Sequence, residues 1–276
     1  MNFNKLAILG SGSMGTAILA GLMRRGVDAS EVVASTKTQA TASRLSDEFG
    51  ITAIATETNA AANVEAVVDA DIVLLAVKPA YIIEVLTQVA ESLKPGALVI
   101  SVAAGISTAA MQAAVPENVA VVRAMPNTPA IVGRAVTGLA AGSKVTPEQL
   151  ATASELFESV GRVVVVGEDQ IDQLSTVSGS GPAYVFYFIE EFTKAAVELG
   201  FTPDQARMLV EETFLGASEL LAASGKAPAD LRRQVTSPNG TTMQAIAVFE
   251  QANLSDLFAR ATAAALARAR EIAAGK

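Results

Sequence analysis

Leu6-Ala7-Ile8-Leu9-Gly10-Ser11-Gly12-Ser13-Met14-Gly15 is the stretch that decides the fold. Four apolar residues read as a short buried strand, and three glycines follow with the spacing G-x-G-x-x-G. From Met14 to Arg25 the apolar residues recur at helical intervals. In this strand–loop–helix setting Gly10 permits a tight turn and Gly12 lets the backbone approach a pyrophosphate. Gly15 lets the helix pack closely on the strand. The helix N-terminus adds free N–H groups and the positive end of its dipole. A dinucleotide site over Gly10, Gly12, Ser13, Met14 and Gly15 is therefore expected.

Outward from this loop, short β-branched runs alternate with helical patterns, which is the mark of βαβ units and a parallel sheet. Glu31–Ala34, Ile51–Ala53, Ile72–Val77, Leu98–Val102, Ala120–Arg123, Ala135–Ala140 and Arg162–Val166 read as further strands. Their runs are continuously apolar, as in strands covered on both faces. Thr38–Phe49, Tyr81–Leu93, Thr108–Ala114 and Pro147–Val160 read as helices, the last with Thr146 as N-cap. From about Glu168 the strand signal ends. Gly181–Gly200, a helix from Pro203 to about Ala223, and two more from Thr241 onward, ending in the Ala-rich Thr262–Ala274, are expected. Nine of the 13 aromatics lie here (Tyr184, Phe186, Tyr187, Phe188, Phe192, Phe201, Phe214, Phe249 and Phe258), enough to seed a separate core. The expected fold class is α/β, with an N-terminal Rossmann-type doubly wound sheet over 1–167 and a C-terminal all-α domain over 168–276. So much apolar helical surface also calls for a homodimer interface, with a larger monomeric core as the alternative.

Composition narrows the chemistry. The 276 residues are 51% hydrophobic and 17% charged, with a net charge of −8 and no Cys or His. Disulfides, Cys nucleophiles, Cys–His metal sites and Ser-His-Asp triads are excluded together, and no metal site is expected. The acidic balance argues against nucleic acid, which needs clustered cations. No apolar run approaches the roughly 18 residues of a membrane span, despite a mean hydropathy of +0.40. The chain opens MNFNKLAILG, straight into the Gly-rich loop, and a soluble cytoplasmic protein is expected. Without His, the hard chemistry falls to a cofactor.

Further motifs surround the first. After the second strand come Ser35-Thr36-Lys37, with no acid to accept from a ribose 2′-OH. Two hydroxyls and a cation suit a 2′-phosphate, so NADPH is favoured; as ordinary turn residues they would leave NADH usable too. Ala76-Val77-Lys78-Pro79 ends the fourth strand, where ligands of such sheets bind, although Lys78 could be a plain solvated charge. Ala103-Ala104-Gly105 leaves room for a flat ring such as nicotinamide; tight helix packing would select the same small residues. Arg123–Pro129 reads as a rigid loop, and Ser178–Ala183 as an N-cap cluster before the aromatic helix, with Pro182 at N1, or equally as a site contact. Thr236-Ser237-Pro238-Asn239-Gly240-Thr241-Thr242 opens another helix with more hydroxyls than a cap needs, which points to an anion such as a substrate carboxylate.

In this order, GSGSMG, Asn63, AVKP, SVAAG, RAMPNTPA, SGSGPAYVF and TSPNGTT resemble the pyrroline-5-carboxylate reductase family along the whole chain. Asn239 stands where that family often has Gly. The resemblance implies a Rossmann domain, a helical domain that builds a homodimer and often a decamer, and reduction of (S)-1-pyrroline-5-carboxylate to L-proline with NAD(P)H. It implies that Gly10–Gly15 hold the pyrophosphate, Ser35–Lys37 the adenosine ribose or its phosphate, and Asn63 a further ribose contact. Ala76–Pro79 and Ala103–Gly105 would line the nicotinamide side. Ser237, Asn239, Gly240, Thr241 and Thr242 would bind substrate, with Thr242 as the catalytic hydrogen-bonding residue. The competing readings are another NADPH-dependent imine or hydroxyacid reductase and a non-catalytic NADPH-binding regulator. Hydroxyacid reductases rely on a Lys in the inter-domain helix, and here that helix carries only Lys194, far from its Gly181-Pro182 start.

Overall fold

The computed structural model describes residues 3–273. Its centre is an eight-stranded sheet of order β3-β2-β1-β4-β5-β6-β7-β8. The strands are β1 (Leu6–Leu9), β2 (Val32–Thr36), β3 (Thr52–Ala55), β4 (Ile72–Leu75), β5 (Leu98–Ser101), β6 (Ala120–Met125), β7 (Ala135–Ala141) and β8 (Gly161–Val165). β1 to β6 run parallel, β7 reverses against β6, and β8 runs with β7. The doubly wound α/β expectation holds. The chain order reverses across β1, which lies between β2 and β4, so the Gly-rich loop sits at the topological switch point where such sheets bind ligands.

Alternate residues of one strand feed two cores. Leu6 and Ile8 pack on the face covered by α1 (Ser13–Arg24), α2 (Gln39–Phe49) and later α6 (Pro147–Glu158). Ala7 and Leu9 pack on the other, with α3 (Ala62–Val67), α4 (Ile82–Val89) and α5 (Thr108–Gln112). Burial on both faces explains the unbroken apolar runs. Helix α6 starts as expected: Thr146 N–H donates to Gln149 Oε1 at 3.0 Å, and Gln149 N–H donates to Thr146 Oγ1 at 3.2 Å.

Contacts divide the chain into two compact units, one reaching Ser180 and including the chain from Ala265, the other Gly181–Ala264. α7 (Ile171–Leu174) precedes α8 (Gly181–Glu198), and α9 (Pro203–Ser224), α10 (Pro228–Gln234), α11 (Thr241–Gln251) and α12 (Leu254–Ala273) follow. Ala274, the expected end of the last helix, lies outside the described residues. Thr202 caps α9 with the same Thr-x-x-Gln box that opens α6.

Three expectations are corrected. β4 ends at Leu75 and not at Val77, while β2 runs on to Thr36. Within the expected Ser178–Ala183 cluster, Ser178 and Gly179 are not cap residues. They belong to a π-helical turn over Ser175–Gly179 that follows α7, closed by Ser180 N–H donating to Ser175 O at 2.8 Å, while α8 opens at Gly181 as expected. Asn127 Nδ2 donates to Ser178 O at 2.9 Å, and Asn127 Oδ1 accepts from Val136 N–H at 2.9 Å. The Pro126–Pro129 loop thus anchors this turn to β7.

The third correction concerns the helical aromatics. Seven of the nine are exposed, and only Tyr184 and Phe214 are half-buried. The buried cluster of the helical unit is Ala196, Ala206 and Val210. These aromatics do not seed a core of their own, because α8, α9, α11 and α12 turn them outward.

Candidate active site

The Gly-rich loop leaves β1 with Gly10 at φ +84°, a conformation that favours glycine. A Cβ there would lie 2.6 Å from Val77 Cγ1, and one on Gly15 would lie 2.7 Å from Gly10 O and 3.2 Å from Ala76 Cβ. Both glycines therefore let the loop, α1 and the end of β4 close on one another. Gly12 differs: no atom lies within 4 Å of a Cβ placed there, and it faces open space. It is the N-cap of α1, with no side-chain cap and no acid in the first turn. The Ser11 hydroxyl beside it is buried without a hydrogen-bond partner among the described residues. An uncapped helix start, an orphan hydroxyl and an open glycine fit a dinucleotide pyrophosphate. A cleft of about 570 Å³ adjoins the loop, lined by Ser11, Ser13 and Thr16 of its rim and by Thr41 and Arg44 of α2.

The other expected cofactor residues gather on the same strand ends. Gly10 N–H donates to Ser35 O at 3.0 Å, Ala76 N–H to Leu9 O at 2.8 Å, and Val102 N–H to Leu75 O at 3.0 Å. Ser35, Val77 and Ala103–Gly105 thereby form one row along the ends of β2, β1, β4 and β5. Their side chains divide into engaged and free. Ser35 Oγ donates to Asn63 Oδ1 at 2.6 Å, and Asn63 Nδ2 donates to Gln88 Oε1 at 2.9 Å. Thr36 Oγ1 donates to Thr38 O at 3.0 Å. Asn63 thus ties β2 to α3 and α4. Lys37 and Lys78 are exposed, and neither has a carboxylate partner among the described residues.

At the far end of the row the structure brings in residues that sequence reasoning missed. Arg123 is buried on β6. Its Nη1 donates to Glu168 Oε1 at 3.0 Å and its Nη2 to Asp172 Oδ1 at 2.7 Å. Arg123 lies on β6, as the expected strand Ala120–Arg123 has it, and that strand carries its side chain inward while the expected loop begins only after Met125. Arg123 and Asp172 line a small cavity of about 80 Å³ with Ala104, Gly105, Ser175 and Ile272. Two acids 45 and 49 residues downstream leave no local signal for such a pair.

Ser237, Asn239, Gly240, Thr241 and Thr242 all fall in the helical unit. Asn239 takes φ +58°, which Asn tolerates where the family resemblance expects Gly. Gly240 is the N-cap of α11, and a Cβ on it would lie 2.4 Å from Ser237 Oγ. Most hydroxyls of this unit bond back to a helix carbonyl, as Thr236 Oγ1 does to Arg232 O at 2.6 Å. Ser237, Thr241 and Thr242 do not, and among the described residues their hydroxyls have no partner. Helix α11 begins with no side-chain cap and no acid in its first turn. Lys194 serves no such role. Hydrogen bonds to Glu190 and Glu191 push its ammonium above the usual lysine range, opposite to what a proton donor near neutrality requires.

Comparison with known proteins settles the relationship. A pyrroline-5-carboxylate reductase dimerisation model matches residues 168–272, and an NADP oxidoreductase, coenzyme F420-dependent, model matches residues 5–105. The chain is 39% identical over 274 residues to a pyrroline-5-carboxylate reductase of Pseudomonas aeruginosa, covering 99% of this chain and 98% of the relative. The chain belongs to the pyrroline-5-carboxylate reductase family. A solved pyrroline-5-carboxylate reductase from Coxiella burnetii superimposes with a TM-score of 0.92 at 36% identity, over 98% of both chains. One from Streptococcus pyogenes gives 0.80 at 26% identity, over 97% of this chain and 98% of that one. As a pyrroline-5-carboxylate reductase family member the chain is an oxidoreductase that uses NAD(P)H and forms homo-oligomers. No helix among the described residues is long and apolar enough to cross a membrane.

Proposed function

We propose that this chain reduces (S)-1-pyrroline-5-carboxylate to L-proline, and that the start of α11 is where it holds the substrate. The observation that carries this reading is the uncapped N-terminus of α11, surrounded by the free hydroxyls of Ser237, Thr241 and Thr242. A substrate carboxylate satisfies those backbone N–H groups and meets the positive end of the helix dipole. NAD(P)H, when bound, supplies the hydride. The cofactor would rest on Gly10–Gly15, with Ser35–Lys37 and Asn63 at its adenosine end. Ala76–Pro79 and Ala103–Gly105 would lie at its nicotinamide end.

The residues then need little acid–base chemistry, which suits a chain without His. The substrate enters as its protonated iminium, already electrophilic at the carbon that receives hydride, and the ring nitrogen keeps its proton as the amine forms. The Thr242 hydroxyl accepts a hydrogen bond from that ring N–H and fixes the ring's orientation. Catalysis by this protein is positioning and charge complementarity. Lys37, exposed and in no ion pair among the described residues, supports NADPH over NADH. The outward apolar faces of α8, α9, α11 and α12 support a homodimer through the helical unit, with a decamer as a further assembly. Use of the cell's reduced nicotinamide pool argues for the cytoplasm, and the net charge of −8 argues against nucleic acid. The test is loss of reduced-nicotinamide absorbance when the protein meets pyrroline-5-carboxylate with NADPH, and in parallel with NADH. Turnover with release of proline is expected. Tight NADPH binding without turnover would overturn the substrate assignment.

A further inference from the structure

Sites that take an unphosphorylated adenosine ribose usually carry an acid at the end of β2. This sequence has Ser35-Thr36-Lys37 there instead. The fold brings an acid to the same place from another strand. Just past β3, Thr56 N–H donates to Thr36 O at 2.8 Å and Glu57 N–H donates to Lys37 O at 3.2 Å. The backbone of Glu57 is thereby fixed beside that of Lys37. Its side chain reaches across to α2, where Glu57 Oε1 accepts from Gln39 N–H, the first residue of the helix, at 2.5 Å. Gln39 is braced in turn by Thr58 Oγ1, which donates to Gln39 Oε1 at 3.2 Å. Glu57 is exposed, and the Gln39 N–H that its carboxylate holds lies three residues beyond Thr36, the end of β2.

A ribose 2′-phosphate at this strand end would seek what Glu57 already occupies: an N–H at the start of α2 and the positive end of that helix. The carboxylate holds the N–H and repels a dianion. Lys37, exposed and in no ion pair among the described residues, pulls the other way. We propose that Glu57 is a specificity-determining residue that opposes Lys37 and limits the preference for the 2′-phosphorylated cofactor. It replaces, from β3, the acid that β2 lacks. The proposal rests on the reading of Ser35–Lys37 as the adenosine ribose subsite.

The Glu57→Gln substitution isolates the charge, because the amide oxygen still accepts from Gln39 N–H while the repulsion is lost. The probes are ADP-ribose and 2′-phospho-ADP-ribose, titrated calorimetrically into the full-length protein, with kcat/KM for NADPH and NADH measured alongside. In E57Q the 2′-phosphorylated probe should bind about tenfold tighter, the scale of one repulsive contact at a solvated site. ADP-ribose should change less than about twofold, and the NADPH/NADH ratio of kcat/KM should rise with the binding ratio. Lys37→Gln should move both ratios the opposite way. In about 1 M salt, where the Debye length is ~3 Å, the E57Q effect should shrink. An unchanged ratio, or equal changes for both probes, would overturn the role of Glu57 alone. Failure of the unsubstituted protein to bind either probe would overturn the subsite reading and this proposal with it.

Discussion

Phe157, on α6, has no exposed surface, whereas Phe188, on α8, keeps 38% of its own. The contrast runs through both units. Around the sheet, two apolar clusters fill both faces with side chains such as Leu6, Ile18, Leu74 and Leu86, all fully buried. In the helical unit Phe186, Tyr187, Leu199, Leu215 and Val248 remain more than half exposed. One unit spends its apolar residues on its own interior. The other leaves them exposed, within the stretch that a pyrroline-5-carboxylate reductase dimerisation model matches, where association in a homo-oligomer would cover them. The same residue type thus stabilises by folding in one place and by association in another.

Substitution can separate these two roles. Phe157→Ala should cost the largest amount, about 3–5 kcal/mol of stability from a buried aromatic truncation. Calorimetry should find that loss independent of protein concentration. Phe188→Ala removes an exposed ring that also makes a tilted contact with Phe258, 6.0 Å between centroids. It should cost about 2–4 kcal/mol in the assembled protein, the range of an interface anchor. That loss should appear as a Tm that depends on concentration and as a smaller sedimenting species. If the two variants behave alike, the contrast fails. Thr242→Ala should leave fold and assembly intact while lowering kcat/KM by about 1–3 kcal/mol of transition-state stabilisation, read from steady-state kinetics.

The smallest effect concerns Asp71. Partial burial by itself would raise its carboxyl. The hydrogen bond and charge of Lys94, with the N–H groups of Asn4 and Lys5, overcome this and hold it below the ordinary carboxylate range. A depressed folded-state value contributes stability above the unfolded carboxylate range, near pH 4, and that contribution is lost as pH falls through the folded value. Asp71→Asn should therefore cost on the order of 0.5–1 kcal/mol at neutral pH. In acid melts, the difference from the unsubstituted protein should vanish below that window.

Legibility in the sequence follows the same division. The strands were readable because both of their faces are buried, and the Gly-rich loop because its requirements are local. Thr146 was readable as a cap because a cap is completed within three residues. What escaped was assembled over distance. Glu57 reaches the start of α2 from another strand, and Arg123 finds Glu168 and Asp172 far along the chain. The π-helical turn at Ser175–Gly179 is held by Asn127, so the residues around Ser178 looked like an ordinary cap. The helical aromatics read as a core because spacing reports which residues share a face and says nothing of what covers that face.

The aliphatic interior of the sheet unit has an optical corollary. The chain has no Trp and three Tyr. Tyr187 lies 60% exposed on α8 with half-buried Tyr184, and Tyr81 lies 53% exposed after β4. Intrinsic emission from this protein therefore reports the covering of α8 and the surroundings of Tyr81, while the melting of the sheet itself is nearly dark. Without indole emission in the way, reduced-nicotinamide fluorescence can be read against an almost empty background.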